Sequence, residues 1–245
     1  MGFRQNIDEA FLDALAVLFP VVCAGCGSYD RALCPECFAA LATALDGRAS
    51  RVEVGAETTG QALTVWYGCR YGGVVSALLH SFKESGRLDA ARPLGTALGT
   101  VLATATAAAS ATGTSLAEQE GGRIGYVAAP STAASLRRRG YSPVDALMRR
   151  SGSRLPVAGI LRFNRATLDQ AGLDQTDRAL NLAGSVSGSG SLRGRRILIV
   201  DDVLTTGSTL LECQRAVRQA GGSVVGAATI AYTFRTHTRP QANFQ

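Results

Sequence analysis

Apolar residues in this chain fall into short runs and helical faces that alternate along its length. "LTVWYGCRY" (63–71) reads as a strand, and Gly72-Gly73 leads into a helix carrying Val74, Val75, Leu78, Leu79 and Phe82 that ends near Gly86. A second helix is expected from about 88 to 109, dissolving into a Ser/Thr/Gly segment over 110–122. "IGYVAAP" (124–130) has the look of a buried strand, followed by a loop from Ser131 to Ser142. Ser142-Pro143-Val144-Asp145 then opens a helix, with Ser as N-cap and Pro at the first helical position. "GILRFN" (159–164) is a strand, 165–182 is polar, and "LAGSVSGSGSLRG" (182–194) is a strand end plus turn. "ILIV" (197–200) is a strand buried on both faces. Leu210, Cys213, Val217 and Ala220 mark one helical face, and "SVVGAATIAY" (223–232) closes the sheet. Ahead of all this, 7–19 reads as a short amphipathic helix on Ile7, Phe11, Leu15 and Leu18, and 46–62 as a polar linker. Strands alternating with helices predict an α/β fold with a mostly parallel sheet.

The most informative stretch is "ILIVDDVLTTGST" (197–209), where a buried strand runs into Asp201-Asp202 and then a hydroxyl cluster around Gly207. A helix N-cap and a post-strand Asp would account for one or two of these residues. They leave the full set unexplained. Amides of Thr206 to Thr209 converging on a helix N-terminus form a phosphate site. The two carboxylates, one turn back, can accept hydrogen bonds from sugar hydroxyls or hold a hard cation through water. A ribose 5-phosphate fits that spacing. Phosphoacceptor receiver domains also carry an Asp pair after a strand, but near the chain start and without the hydroxyl-rich loop.

Cysteines add a second feature. Cys23-Ala24-Gly25-Cys26 and Cys34-Pro35-Glu36-Cys37 place two CxxC pairs at close range, the donor set of a tetrahedral structural Zn²⁺. Cys69 and Cys213 fall in strand and helix patterns and are expected in the core. The acidic N-terminal stretch, with Asp8, Glu9 and Asp13 before Pro20, does not read as a signal peptide. The uncharged stretch from Pro93 to Ala117 is Ala/Thr/Gly-rich rather than Leu/Ile-rich. The expectation is a cytoplasmic protein without membrane insertion.

The net charge is +6, and the ten arginines between Arg123 and Arg178 against four aspartates account for the whole excess. Such a face suits the phosphates of a small molecule or a nucleic acid, or is simply a solvated surface. Lys83 is the single lysine of the chain. In an arginine-biased sequence it marks either a need for a compact ammonium group or chance survival.

The cysteine pairs, Trp66-Tyr67-Gly68 with Arg70-Tyr71, Phe82-Lys83, Ala129-Pro130, Arg139-Gly140-Tyr141, Thr167, Gln170, Leu173, Arg178 with Asn181, and the Asp201–Thr209 loop occur in one order. That order resembles the ComF family, competence-associated phosphoribosyltransferase-like proteins, across nearly the whole chain. The resemblance implies a type I phosphoribosyltransferase fold over 51–245 behind an N-terminal helix and four-Cys zinc ribbon over 1–50. It implies Mg-phosphoribosyl pyrophosphate as ligand, and in some relatives a link to DNA uptake. Asp201 and Asp202 are then the catalytic candidates. With Thr205, Thr206, Gly207, Ser208 and Thr209 they hold the ribose phosphate. Arg137, Arg138, Arg139 and Gly140 meet the pyrophosphate, Lys83 is a further candidate, and Cys23, Cys26, Cys34 and Cys37 ligate zinc. Thr167–Asn181 is expected to close over the site. Two departures stand out: Tyr141-Ser142-Pro143 replaces Phe-Asn-Gln, removing amide side chains, and the strand ends Ala128-Ala129-Pro130 where the family has Pro-Val-Pro.

Three functions follow from this pattern. One is a phosphoribosyl transferase acting on a nitrogen acceptor. Another is a non-catalytic ligand-binding factor that uses its basic face for single-stranded DNA, with other competence proteins as partners. The third is a metabolite-sensing regulator. The aromatics among the arginines (Tyr126, Tyr141 and Phe163) are few for a single-strand binder.

Overall fold

The computed structural model describes residues 21–29, 31–45, 47, 49–55, 62–111, 124–153, 160–164 and 182–234. The helix expected over 7–19, most of the 110–122 segment, the Thr167–Asn181 segment, the tail beyond Phe234, and Arg123, Arg154, Arg165 and Arg178 lie outside them.

The main sheet runs β1 (Ser50–Val54), β2 (Leu63–Arg70), β8 (Ser223–Tyr232), β6 (Arg196–Val200), β3 (Gly125–Ala128), with β7 (Val203–Leu204) also paired to β8. All pairings are parallel except β1 with β2. β1 corrects the expected linker: "SRVEV" alternates too weakly to stand out, yet it zips antiparallel onto β2 as an edge strand. β8 does not sit at an edge; it is the central strand, between β2 and β6. β4 (Leu161–Phe163) and β5 (Val186–Gly188) form a separate antiparallel pair outside the main sheet.

Successive residues of a strand point to opposite faces, so the sheet builds two cores. Leu198 and Val200 pack on one face with α2 (Gly73–Glu84), α3 (Ala91–Ala111) and α5 (Pro143–Arg150) through Leu78, Phe82, Leu98 and Leu147. Ile197 and Ile199 pack on the other with α6 (Ser208–Gln219) and the β4–β5 pair through Leu210, Val217 and Val186. Each of these fully buried aliphatic side chains contributes roughly 1.5–3 kcal/mol. Cys69 and Cys213 are buried, as their patterns suggest.

The register between β6 and β8 slips at Ile197/Leu198, so that Leu198 faces Gly226. A Cβ on Gly226 would lie 2.2 Å from Cζ3 of Trp66; the bare backbone there makes room for the indole. α3 and α5 approach closely for a similar reason, since a Cβ on Gly99 would meet the Ser151 carbonyl at 2.2 Å. With its leading 3₁₀ turn (Leu88–Ala90), α3 is by length and composition able to cross a membrane. Here its apolar stripe of Leu94, Leu98, Val101, Leu102 and Ala105 lies inside the core.

α1 (Pro35–Leu45) and the cysteine segment before it dock on this body. Leu41 and Ala24 join the core beside α2. Ser81 Oγ donates to the Ala24 carbonyl at 2.8 Å, and Arg87 to that of Ala32.

Candidate functional site

The line of β6 is interrupted rather than ended at the two aspartates. Val200 faces Ala228, and pairing resumes with Val203 facing Ala231, without an inserted residue. Backbone groups of the break still bond β8: Asp201 N donates to Ala228 O at 3.0 Å, and Asp202 O accepts from Ile230 N at 3.0 Å. The pair therefore stands on a fixed strand, not a floppy turn, at the carboxyl end of the parallel strands where open α/β sheets bind ligands.

The two carboxylates have different surroundings. Asp202 is buried, and its Oδ2 lies 2.5 Å from Lys83 Nζ at the end of α2. Asp201 is half-buried, and its Oδ1 accepts from the Asp202 amide at 2.9 Å. Burial raises the Asp201 carboxyl to about 7; the Asp202 charge adds to this, while Lys83 and the Asp202 amide oppose it. The Asp201 charge is also felt at Cys213 of α6, whose thiol is pushed up mainly by burial.

Beyond β7 the loop rises to α6. Thr205 and Thr206 are exposed, and Gly207 is the N-cap with φ 81°, a left-handed conformation that favours glycine. A Cβ there would also press on Val54 Cγ2 of β1 at 3.2 Å. Thr206 Oγ1 accepts from Ser208 N at 3.3 Å and lies 2.9 Å from Ser208 Oγ. First-turn amides of a helix have no carbonyl partner within it. The amides and hydroxyls of Thr205–Thr209 can therefore receive an anion, with carboxylates for a hydroxylated ligand alongside.

The arginine segment is not the expected loop. Ala133–Arg139 forms a short helix, α4, capped by Thr132 Oγ1 at one end and by Gly140 with φ 75° at the other. Three consecutive arginines in its last turn suit the negative end of the helix. Arg137 and Arg138 are exposed. Arg139 instead donates from Nε to the Lys83 carbonyl at 2.9 Å and from Nη2 to Glu84 Oε1 at 2.8 Å. Arg138 pairs with Glu84 Oε2 at 3.0 Å, and the Tyr141 hydroxyl donates to the Phe82 carbonyl. Ser142 Oγ accepts from Asp145 N and Pro143 stands in the first turn of α5, as the sequence suggested. Glu84 and the back-bonding of Arg139 were missed from sequence; the adjacency of Glu84 to the only lysine was the available signal.

The four cysteine sulfurs all lie within 4.8 Å of one another. Cys26 Sγ and Cys34 Sγ are 3.7 Å apart, matching the roughly 3.8 Å edge of a tetrahedron with 2.3 Å metal–sulfur bonds. Cys23 Sγ accepts from Gly25 N at 3.4 Å and Cys34 N at 3.3 Å, and Cys34 Sγ from Cys37 N at 3.4 Å. Amides aimed at sulfur orient and stabilise thiolate ligands. The donor set can hold a metal ion.

A phosphoribosyl transferase domain model matches residues 125–244. Orotate phosphoribosyltransferase of Mycobacterium avium (strain 104) is 49% identical over 76 residues, covering 31% of this chain and 42% of that protein. Competence protein F of Haemophilus influenzae is 36% identical over 90 residues, covering 34% and 39%. Adenine phosphoribosyltransferase of M. avium is 54% identical over 39 residues, covering 16% and 22%. The chain thus spans about two fifths or less of the length of these relatives. The domain match begins at β3 and includes α4, the aspartate break and the Gly207 loop, whereas the cysteine cluster lies ahead of it. On these grounds residues 125–244 belong to the phosphoribosyl transferase domain family, and with the four-cysteine cluster ahead of that domain the chain fits a ComF-like form of it.

Proposed function

We propose that this protein binds Mg-phosphoribosyl pyrophosphate and transfers the phosphoribosyl group to a nitrogen acceptor. The observation that carries the reading is the interrupted strand: Asp201 and Asp202 are fixed on the sheet immediately before a loop whose Gly207 turn opens α6. In this reading Thr205 to Thr209 hold the 5-phosphate, and Asp201 and Asp202 accept from the ribose hydroxyls. Arg137 and Arg138 face the departing pyrophosphate. The C1–O bond breaks with its electron pair leaving on pyrophosphate, a nitrogen lone pair forms the new bond to C1, and the nitrogen sheds its proton. Fixed donors around a departing polyanion lower the barrier because they need no reorganisation as charge develops. Mg²⁺, when bound, would shield the diphosphate charge, and Asp201 and Asp202 are the hard oxygen donors that would help to hold it.

The cysteine cluster is proposed to hold Zn²⁺ in a closed structural site, with a module boundary near residue 50, and the protein to act in the cytoplasm. The test is pyrophosphate release from phosphoribosyl pyrophosphate with orotate or adenine supplied, the acceptors in the relatives' names. Calorimetry showing no binding of phosphoribosyl pyrophosphate overturns the reading.

A second reading has support from the competence-protein relative and from exposed Arg149 and Arg150 at the end of α5. It is a ligand-binding factor whose basic face tracks single-stranded DNA.

A further inference from the structure

The carboxyl end of α2 is fastened by an unusual set of side chains from one short segment. The last carbonyls of a helix have no partner within it. Here the Tyr141 hydroxyl takes Phe82 O, Arg139 Nε takes Lys83 O at 2.9 Å, and Arg138 and Arg139 together take the Glu84 carboxylate. Arg139 is mostly covered, with a side-chain exposure of 16%, whereas that of Arg138 is 62%. The residue held between these contacts is Lys83, whose ammonium meets buried Asp202 at 2.5 Å. A lysine side chain has four rotatable carbons and loses much conformational entropy on being fixed. A backbone held at the residue itself and at both its neighbours reduces what must be ordered.

We infer that Arg139 and Tyr141 are positioning residues that hold Lys83 on Asp202, and that a pyrophosphate-class polyanion drawn to α4 releases that lysine. Lys83 covers a carboxylate that a ribose diol would need. The same arginines that hold α2 stand where an incoming diphosphate would be met, and a polyanion competes for them with a single carboxylate, Glu84. Drawing Arg138 and Arg139 off α2 loosens Lys83 and uncovers Asp202. The ammonium then becomes available to the anion. Linkage makes the effect reciprocal: pyrophosphate and a ribose ligand bind with positive coupling. The release step rests on the reading of α4 as the pyrophosphate segment; the positioning of Lys83 does not.

The test exploits the single lysine, because protein grown with [15Nζ]lysine carries one labelled side chain. Asp202→Asn gives the reference signal of the released ammonium. Tyr141→Phe removes one oxygen, and Arg139→Gln removes the fork while keeping a polar chain. In the absence of ligand both are expected to move the Lys83 signal at least halfway to the reference and to speed its proton exchange with water. If Arg139→Gln does not fold, Tyr141→Phe decides alone. A wild-type signal in the folded variants overturns the positioning role. Inorganic pyrophosphate added to wild-type protein is expected to move the signal away from its Asp202-paired position, and an unmoved signal overturns the release. Binding of ribose 5-phosphate, measured separately by calorimetry, decides the functional reading on its own.

Discussion

Lys83 Nζ and Asp202 Oδ2 lie 2.5 Å apart, joining the end of α2 to the break between β6 and β7. Both groups are largely withdrawn from water, at 29% and 6% exposure. Removing one partner strands a charge, whereas removing both does not. Lys83→Met is expected to destabilise the protein by roughly 2–3 kcal/mol, and Lys83→Met with Asp202→Asn by clearly less than the sum of the singles. Urea denaturation of the four proteins measures the coupling. Additive single effects would show that the contact contributes nothing.

Gly207 carries two constraints, a left-handed backbone and the wall formed by Val54. Gly207→Ala should cost about 1–2 kcal/mol from the backbone alone. Gly207→Val should cost more and abolish ribose 5-phosphate binding, as its branched chain crowds both the strand and the anion position. Denaturation and calorimetry on both variants give the order; equal affinity for ribose 5-phosphate in both and in the wild type would remove the loop from the binding site.

Asp201 gives a pH dependence with a definite sign. Its folded carboxyl titrates at about 7, while an unfolded aspartate titrates near ~3.9. The folded state therefore holds the extra proton between these values. Its stabilising effect is complete below about pH 4 and is lost as pH rises through 7. Asp201→Asn should flatten the stability profile of the ligand-free protein between about pH 4 and 7. A wild-type profile unchanged by the substitution contradicts the assignment of the raised group.

The first two predictions also show what was legible from sequence. The Asp201–Thr209 motif is local, so the buried strand before it, the helix from Ser208 and the helical face of Leu210, Cys213 and Val217 could be read from spacing, whereas the short β7 and the cap by Gly207 were not. Val54 behind Gly207 could not, because "SRVEV" becomes a strand only by pairing with β2. Neither could the partner of Lys83, which is brought to Asp202 by tertiary packing. α4 was hidden for a different reason: it buries no apolar side chain, so no apolar periodicity marks it, and only its Thr132 and Gly140 caps define it. Arg139 then turns inward against a helix end, an orientation that residue type alone does not give.

The cysteine cluster predicts about one zinc per chain. Elemental analysis of protein never exposed to chelator should find it, and Cys34→Ser should lose it. Because Ala24 and Leu41 share the core with α2, that variant should also lower the melting temperature, while ribose 5-phosphate binding at the far end of β6 persists. A metal-free native protein would leave the cluster as four reduced thiols.

For the DNA reading, affinity for single strands should fall steeply with salt, with a slope of about 0.7 per phosphate neutralised. Arg149→Ala with Arg150→Ala should reduce that slope by about 1.4 and spare ribose 5-phosphate binding, since both residues lie past α4 at the end of α5. Fluorescence anisotropy over a salt series measures it. An absence of binding at low salt makes these arginines ordinary surface.

The central place of β8 has a consequence for how the protein is made. β2 and β6 each pair with β8 and not with each other. During synthesis, β1–β2 and β3–β6 can therefore arise only as two separate ribbons with open inner edges, and neither is completed until residues 223–232 emerge. Pairing across such sequence distances is slow, and the waiting edges are prone to wrong partners. A ribosome stalled before Ser223 would hold a chain whose helices are already written and whose sheet has no spine.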